Sequence, residues 1–163
     1  MKKNIFVIIL AVVVFAVFGS VCAQDTFTVG LECNYAPFNW TQTDDSNGAV
    51  PISGGMGYCG GYDVEIAKII ADALGKELVI SKIEWDGLIQ KLNAGQIDAV
   101  IAGMSPTAER KITVDFTDAY YNSDLVVVVR KDSDFANAAT LEDFSGAKIT
   151  GQLNTFHSTS DRS

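Results

Sequence analysis

Histidine is almost missing from this 163-residue chain: His157 stands alone, beside three cysteines, three prolines and two tryptophans. A single imidazole cannot build a histidine-rich metal centre, and no Cys/His spacing of the metal-binding kind occurs, so no metal or other cofactor is expected. One histidine near the end of the chain is also a poor base for a Ser–His–Asp hydrolase, and the chain has no nucleophile elbow. Basic residues are scarce as well, 12 against 20 acids, for a formal net charge of −8. That balance repels phosphate backbones and anionic lipid, which argues against nucleic acid as a partner and accords with solubility outside a cell. Internal repeats and low-complexity tracts are absent.

The first residues carry an export pattern. Lys2 and Lys3 precede an apolar run of 14 residues, Ile5 to Phe18, and Val21-Cys22-Ala23 offers a small-residue cleavage site. Residues 1–23 therefore read as a signal peptide, with the mature chain starting near Gln24. The run is short for a membrane span. A second reading keeps Cys22 as a lipid anchor, for which Val21 is an unsuitable preceding residue. Either way the protein is exported, to the periplasm or the outer face of the cell membrane. Disulfides form there, and the two remaining cysteines, Cys33 and Cys59, are a candidate bridge closing the Gly-, Ser- and Asp-rich segment 40–57 at its base. Two unpaired thiols are the alternative.

Periodicity supplies the elements. Thr26 to Leu31 alternates as a strand with Phe27, Val29 and Leu31 on one face. An irregular connection then leads to Gly61. Asp63 to Leu74 has helical spacing, with Ile66, Ile69, Ile70, Ala73 and Leu74 as the expected buried stripe and Gly75 as its stop. Glu77 to Ile83 is the next strand, Asp86 to Asn93 a short helix, and Ile97 to Ala102 a strand apolar on both faces, as a central parallel strand should be. Strand, helix, strand, helix, strand predicts an α/β fold, a parallel sheet with flanking helices. Val126 to Val129 is expected as a further buried strand, Lys131 to Asp134 as a polar linker, Leu141 to Phe144 as a helical turn and Lys148 to Thr150 as the start of a strand.

The segment Ala99 to Thr117 carries the most chemistry. A buried strand breaks at Gly103-Met104-Ser105-Pro106, Thr107 can cap a new helix, and Arg110 falls in its first turn. A helix start favours an anion, and a guanidinium there can hold a carboxylate through two parallel hydrogen bonds. A surface arginine in an ordinary ion pair is the competing reading of Arg110.

At this point the chain resembles a known family. Gly30-Leu31-Glu32-Cys33-Asn34-Tyr35-Ala36-Pro37-Phe38, Gly61-Tyr62-Asp63-Val64-Glu65-Ile66, the stretch from Glu84-Trp85-Asp86-Gly87 through Gly95-Gln96-Ile97-Asp98-Ala99 to Arg110, and Val114-Asp115-Phe116-Thr117-Asp118-Ala119-Tyr120-Tyr121 occur in family order. They are similar to bacterial extracellular solute-binding proteins of family 3, the polar amino-acid receptors of ABC importers. The resemblance, from about Thr26 to Phe156, implies a periplasmic-binding-protein-like fold of type II, with two α/β lobes around a ligand. It divides the chain into lobe 1 over residues 24–130 and a hinge with the beginning of lobe 2 over residues 131–163. Lobe 2 would continue well past Ser163, so the chain reads as C-terminally truncated.

The resemblance also implies site roles. Arg110 would hold the carboxylate of an amino acid, while Ala102, Gly103 and Ser105 would meet its carboxylate and ammonium through main chain and a hydroxyl. Glu32 would face a cationic side chain or pair with a neighbour. Tyr35 and Tyr62 would stack on the ligand or pack internally, and Thr155, with Asn154 and Phe156, would offer N–H groups from lobe 2. Trp85 reads as packing beneath the short helix rather than as a ligand contact. The function implied is a receptor that captures an amino acid for a membrane permease, monomeric in its full-length form and performing no chemistry. A dehydratase-like enzyme using Glu32 and the sensor domain of a signalling receptor share the scaffold, and fold similarity alone does not separate them.

Overall fold

The computed structural model describes residues 25–55, 57–155 and 157. The expected export signal, Cys22, Phe156 and the last residues lie outside the described residues.

Strand β1 (Thr26–Leu31) forms where alternation predicts it, and Val29 and Leu31 are fully buried. It is the middle of a parallel sheet. β6 (Glu77–Lys82) pairs with it residue for residue from Thr26↔Glu77 to Leu31↔Lys82. On the other side, β7 (Ala99–Val100) pairs through Val29↔Ala99 and Gly30↔Val100. The strand expected over Ile97–Ala102 is thus trimmed to two paired residues and sits at the edge, not the centre. Ile97, Ile101 and Ala102 are still buried, which accounts for their apolar run.

Helix α1 (Tyr62–Leu74) connects β1 and the following loop to β6, and Gly75 ends it in the left-handed conformation. Its buried face differs from the expected stripe. Val64, Ala67 and Ala71 face the core, whereas Ile69 is 64% and Leu74 54% exposed and Ala73 is exposed too. Small side chains at 64, 67 and 71 bring the helix close to the sheet, and the larger Ile66 and Ile70 wedge at the sides, half-buried. A count of large apolar residues rotates the helix the wrong way when alanine forms the contact. A 3-10 turn over Trp85–Gly87 leads into α2 (Leu88–Asn93), which buries Leu88 and contacts β7 and β1.

The connection from Leu31 to Gly61 is not irregular. It holds a four-stranded antiparallel sheet of β2 (Asn34–Tyr35), β3 (Asn39–Gln42), β4 (Val50–Pro51) and β5 (Tyr58–Gly60), in the order β2-β3-β5-β4. Strands of two to four residues are too short to show a period of two. Ile52 joins this sheet to the main one by a parallel bridge to Ile80. Cys33 and Cys59 form a disulfide, with their Cα atoms 5.7 Å apart and both side chains buried, tying the turn after β1 to β5.

Beyond β7 regular structure thins. The helix expected after Thr107 is one 3-10 turn, Arg110–Ile112, although Thr107 Oγ1 does accept the Arg110 N–H at 3.3 Å. Val126–Val129 form no strand: Val126 is 72% and Val128 89% exposed, because no described strand lies beside them to complete a ladder. Lys148–Thr150 likewise form no strand. A 3-10 turn at Glu142–Phe144 meets the expected helical turn, and Asp143 Oδ2 accepts the N–H groups of Ala139 and Thr140. Among the described residues no helix is long and apolar enough to cross a membrane.

Candidate functional site

The sheet order β6-β1-β7 contains a switch point. From β1 the chain crosses to β6 on one side, then returns past β1 to β7 on the other. Open α/β sheets bind ligands in the crevice left there, beyond the carboxyl ends of the strands. A cleft lies at that place. It is open to solvent, has a volume of about 90 Å³, and takes its walls from the residues following each parallel strand: Glu32 and Tyr35 after β1, Trp85 after β6, and Ala102, Gly103, Ser105 and Arg110 after β7. Gln152, Thr155 and His157 close it from the C-terminal segment.

Seven of the eight residues singled out from sequence are thus brought together. Tyr62 is not among them: its ring packs edge-on against Phe38 and Tyr121, and its hydroxyl donates to the Tyr120 carbonyl at 3.1 Å. Tyr35 stands on the cleft wall and stacks on Phe38 with ring centroids 5.2 Å apart. Trp85 packs as expected and has a second place as well. It touches the core and also lines the cleft, where the Arg110 guanidinium lies over its ring at 5.3 Å. Such a cation–π contact keeps a guanidinium flat and in place.

Arg110 is held by neutral groups. Nη1 donates to the Ser105 carbonyl at 2.8 Å and Nη2 to the Asn154 carbonyl at 3.0 Å. Among the described residues no carboxylate lies within ion-pair distance of it. Burial lowers its pKa somewhat, an effect that Glu109 opposes, and an arginine remains charged under such a shift. A partly desolvated cation with no counter-charge draws an anion, and its fork geometry selects a carboxylate or phosphate. Because the adjoining helix is a single turn, the guanidinium rather than a helix dipole supplies this attraction.

The segment 152–155 lies across the cleft by four hydrogen bonds. Gln152 Nε2 donates to Glu32 at 3.1 Å, Asn154 Nδ2 to Asp86 at 2.9 Å, and the Asn154 carbonyl accepts from Trp85 Nε1 at 2.9 Å as well as from Arg110. Sequence reasoning missed Gln152 and His157, and no local pattern marks either one. Only the return of the chain over the strand ends brings them to the site.

An α/β lobe with its cleft at the strand ends, an arginine at the base and aromatic walls defines the periplasmic-binding-protein-like class of type II. The chain belongs to the bacterial extracellular solute-binding proteins, family 3, whose model matches residues 27–155. It is 31% identical to the arginine-binding extracellular protein ArtP of Bacillus subtilis (strain 168) over 94% of this chain and 56% of that one. It is 33% identical to the L-cystine-binding protein TcyJ of Escherichia coli (strain K12) over 81% of this chain and 45% of that one. Among solved structures, a P235GK mutant of ArgBP from T. maritima superposes with a TM-score of 0.68 at 38% identity, covering 83% of this chain and 53% of that one. The arginine-bound form of domain 1 from TmArgBP, as its Phe57Trp mutant, does so with a TM-score of 0.50 at 40% identity, covering 59% of this chain and 65% of that one. The chain spans about half the length of the curated relatives it matches, and those relatives are named as binding proteins rather than enzymes.

Proposed function

We propose that the protein is the extracytoplasmic receptor of an ABC importer and captures a polar or basic amino acid, with Arg110 as the carboxylate anchor. One observation carries this reading: a half-buried guanidinium at the base of the cleft, clamped by two main-chain carbonyls and a tryptophan face, without a carboxylate partner among the described residues. Glu32, which lines the same cleft after β1, supplies negative charge for an ammonium or a cationic side chain, while Tyr35 and Trp85 supply apolar area. Ser105 and the main chain of Ala102 and Gly103 complete the polar contacts, with Thr155 facing them from the C-terminal segment. Residues 24–130 would form the ligand-binding lobe and residues 131–163 the hinge and the start of a second lobe.

The names of the relatives support a basic or polar ligand, and the arginine-bound domain 1 of TmArgBP supports binding by a first lobe on its own. A small volume suits this reading, because the segment 152–155 occupies the mouth and ligand entry must displace the Asn154 carbonyl from Arg110. In this reading the protein performs no chemistry, is exported by residues 1–23, and delivers its ligand to a membrane permease.

The test is calorimetric titration of the chain with L-arginine, L-histidine and L-cystine, before and after Arg110→Ala. Loss of a charge-assisted anchor costs about 2–5 kcal/mol, a fall in affinity of roughly 30-fold to several thousand-fold. Near-native affinity in Arg110→Ala would remove Arg110 from the site. No binding of any amino acid by the unaltered chain would remove the function.

A further inference from the structure

Asp63 is a fully buried acid on the first turn of α1, and it neither lines the cleft nor joins an ion pair of the described residues. Burying a lone carboxylate is costly unless its oxygens are satisfied, and an apolar residue of similar size would fit a helix start with less penalty. What the carboxylate does in exchange is visible in its partners. Asn39 Nδ2 donates to Oδ2 at 2.7 Å and the Tyr120 hydroxyl donates to Oδ1 at 2.7 Å.

The direction of each bond is fixed. Asn39 Oδ1 receives the Asn34 N–H at 3.3 Å, so the amide must turn its NH2 group toward the acid. The Tyr120 oxygen receives the Gly103 N–H at 3.0 Å, so its own proton points at Asp63. The hydrogen bonds run one way, from the Gly103 amide to the tyrosine hydroxyl to the carboxylate. Burial and the neighbouring carboxylate push the Tyr120 pKa well above its ordinary value, so the phenol keeps the proton this arrangement needs. The positive end of α1 and the Asn39 amide help hold the charge.

Gly103 is the elbow of the cleft. It adopts a left-handed φ of 61° between Ala102 and Ser105, with Tyr35 packed over it. We infer that Asp63 and Tyr120 are positioning residues for the ligand site: Asp63 orients the Tyr120 hydroxyl, and that hydroxyl pins the Gly103 amide and so sets how the Ala102–Ser105 main chain meets the ligand. The inference rests on the proposed amino-acid site. It also commits the Gly103 N–H to the Tyr120 hydroxyl, leaving the elbow's carbonyls and the Ser105 hydroxyl to face a ligand.

Tyr120→Phe keeps the ring and removes both bonds; Asp63→Asn keeps the shape and removes the charge. In each variant the Gly103 amide should shift in the ¹H–¹⁵N spectrum and exchange with solvent much faster, while the amides of β1 stay protected. L-arginine affinity should fall about tenfold in either variant, the size of one lost positioning bond. The double variant should fall no further, because the two residues act as one chain. An unchanged Gly103 amide in Tyr120→Phe, or arginine affinity within twofold of the unaltered chain, would overturn the inference. If Asp63→Asn does not fold, Tyr120→Phe alone decides it, since Tyr120 is about one-third exposed and tolerates loss of its hydroxyl. If the unaltered chain binds no amino acid, the functional reading fails, and the ligand-positioning role fails with it. A fast-exchanging Gly103 amide in the unaltered chain overturns the inference by itself, even where arginine binds.

Discussion

Reducing the Cys33–Cys59 bridge should destabilise the lobe and loosen one wall of the cleft together. The bridge closes a loop of sequence separation 26. The loop-entropy relation then gives about 12 cal/mol/K of restricted unfolded-chain entropy, or about 3.5 kcal/mol at room temperature. For about 130 folded residues the unfolding entropy near 60 °C is about 0.27 kcal/mol/K, so the expected loss is about 13 °C in Tm. Both side chains are buried, so Cys33→Ala/Cys59→Ala also leaves a cavity and the figure is a floor for that variant. The effect should reach the ligand because Cys33 stands between Glu32 and Tyr35, and its carbonyl is held by Thr41 Oγ1 at 2.8 Å. Calorimetric melting with and without a phosphine reductant, after peptide mapping has shown the linked peptides, reads the first effect. Arginine titration of the two samples reads the second. An unchanged Tm after verified reduction would refute the reasoning, because the bridge would then restrict nothing that the native sheet does not restrict already.

Two other outcomes follow from single positions. Gly61 has φ 122° and an added Cβ would collide with the Phe38 carbonyl oxygen, so Gly61→Ala should cost about 2–3 kcal/mol in urea unfolding; a loss below 1 kcal/mol would mean that the start of α1 shifts freely. Burial holds the Asp63 pKa above its ordinary value of 3.8, against the lowering effect of Tyr120 and Asn39. The native state therefore binds that proton more tightly than the unfolded chain does. Its contribution to stability is complete below the unfolded value and is lost as pH rises through the folded one. Asp63→Asn should flatten that stretch of the stability–pH curve, and a difference between the two proteins that is independent of pH would contradict the shift.

Sequence alone determined the parts of this protein whose signal is local. The alternation of Thr26–Leu31, the stop at Gly75 and the strand–helix order describe a parallel α/β sheet without any coordinates. Residues with a distinctive chemistry at an element boundary, Arg110 and Ser105 above all, were also legible, because a guanidinium after an apolar strand and a small-residue elbow is unusual. Tertiary structure decided the rest. Ile69 and Leu74 are exposed because Ala67 and Ala71 allow a close helix–sheet approach, and that choice is made by the partner surface rather than by the helix. Val126–Val129 have the composition of a buried strand yet form none, since a strand exists only as one side of a ladder. Trp85, Gln152 and His157 reach the cleft, and Tyr62 leaves it, through contacts between segments up to 120 residues apart in the chain, such as Gln152 with Glu32. Periodicity records which side of an element is apolar, but the position of a site depends on which elements meet, and that is fixed by packing at long range.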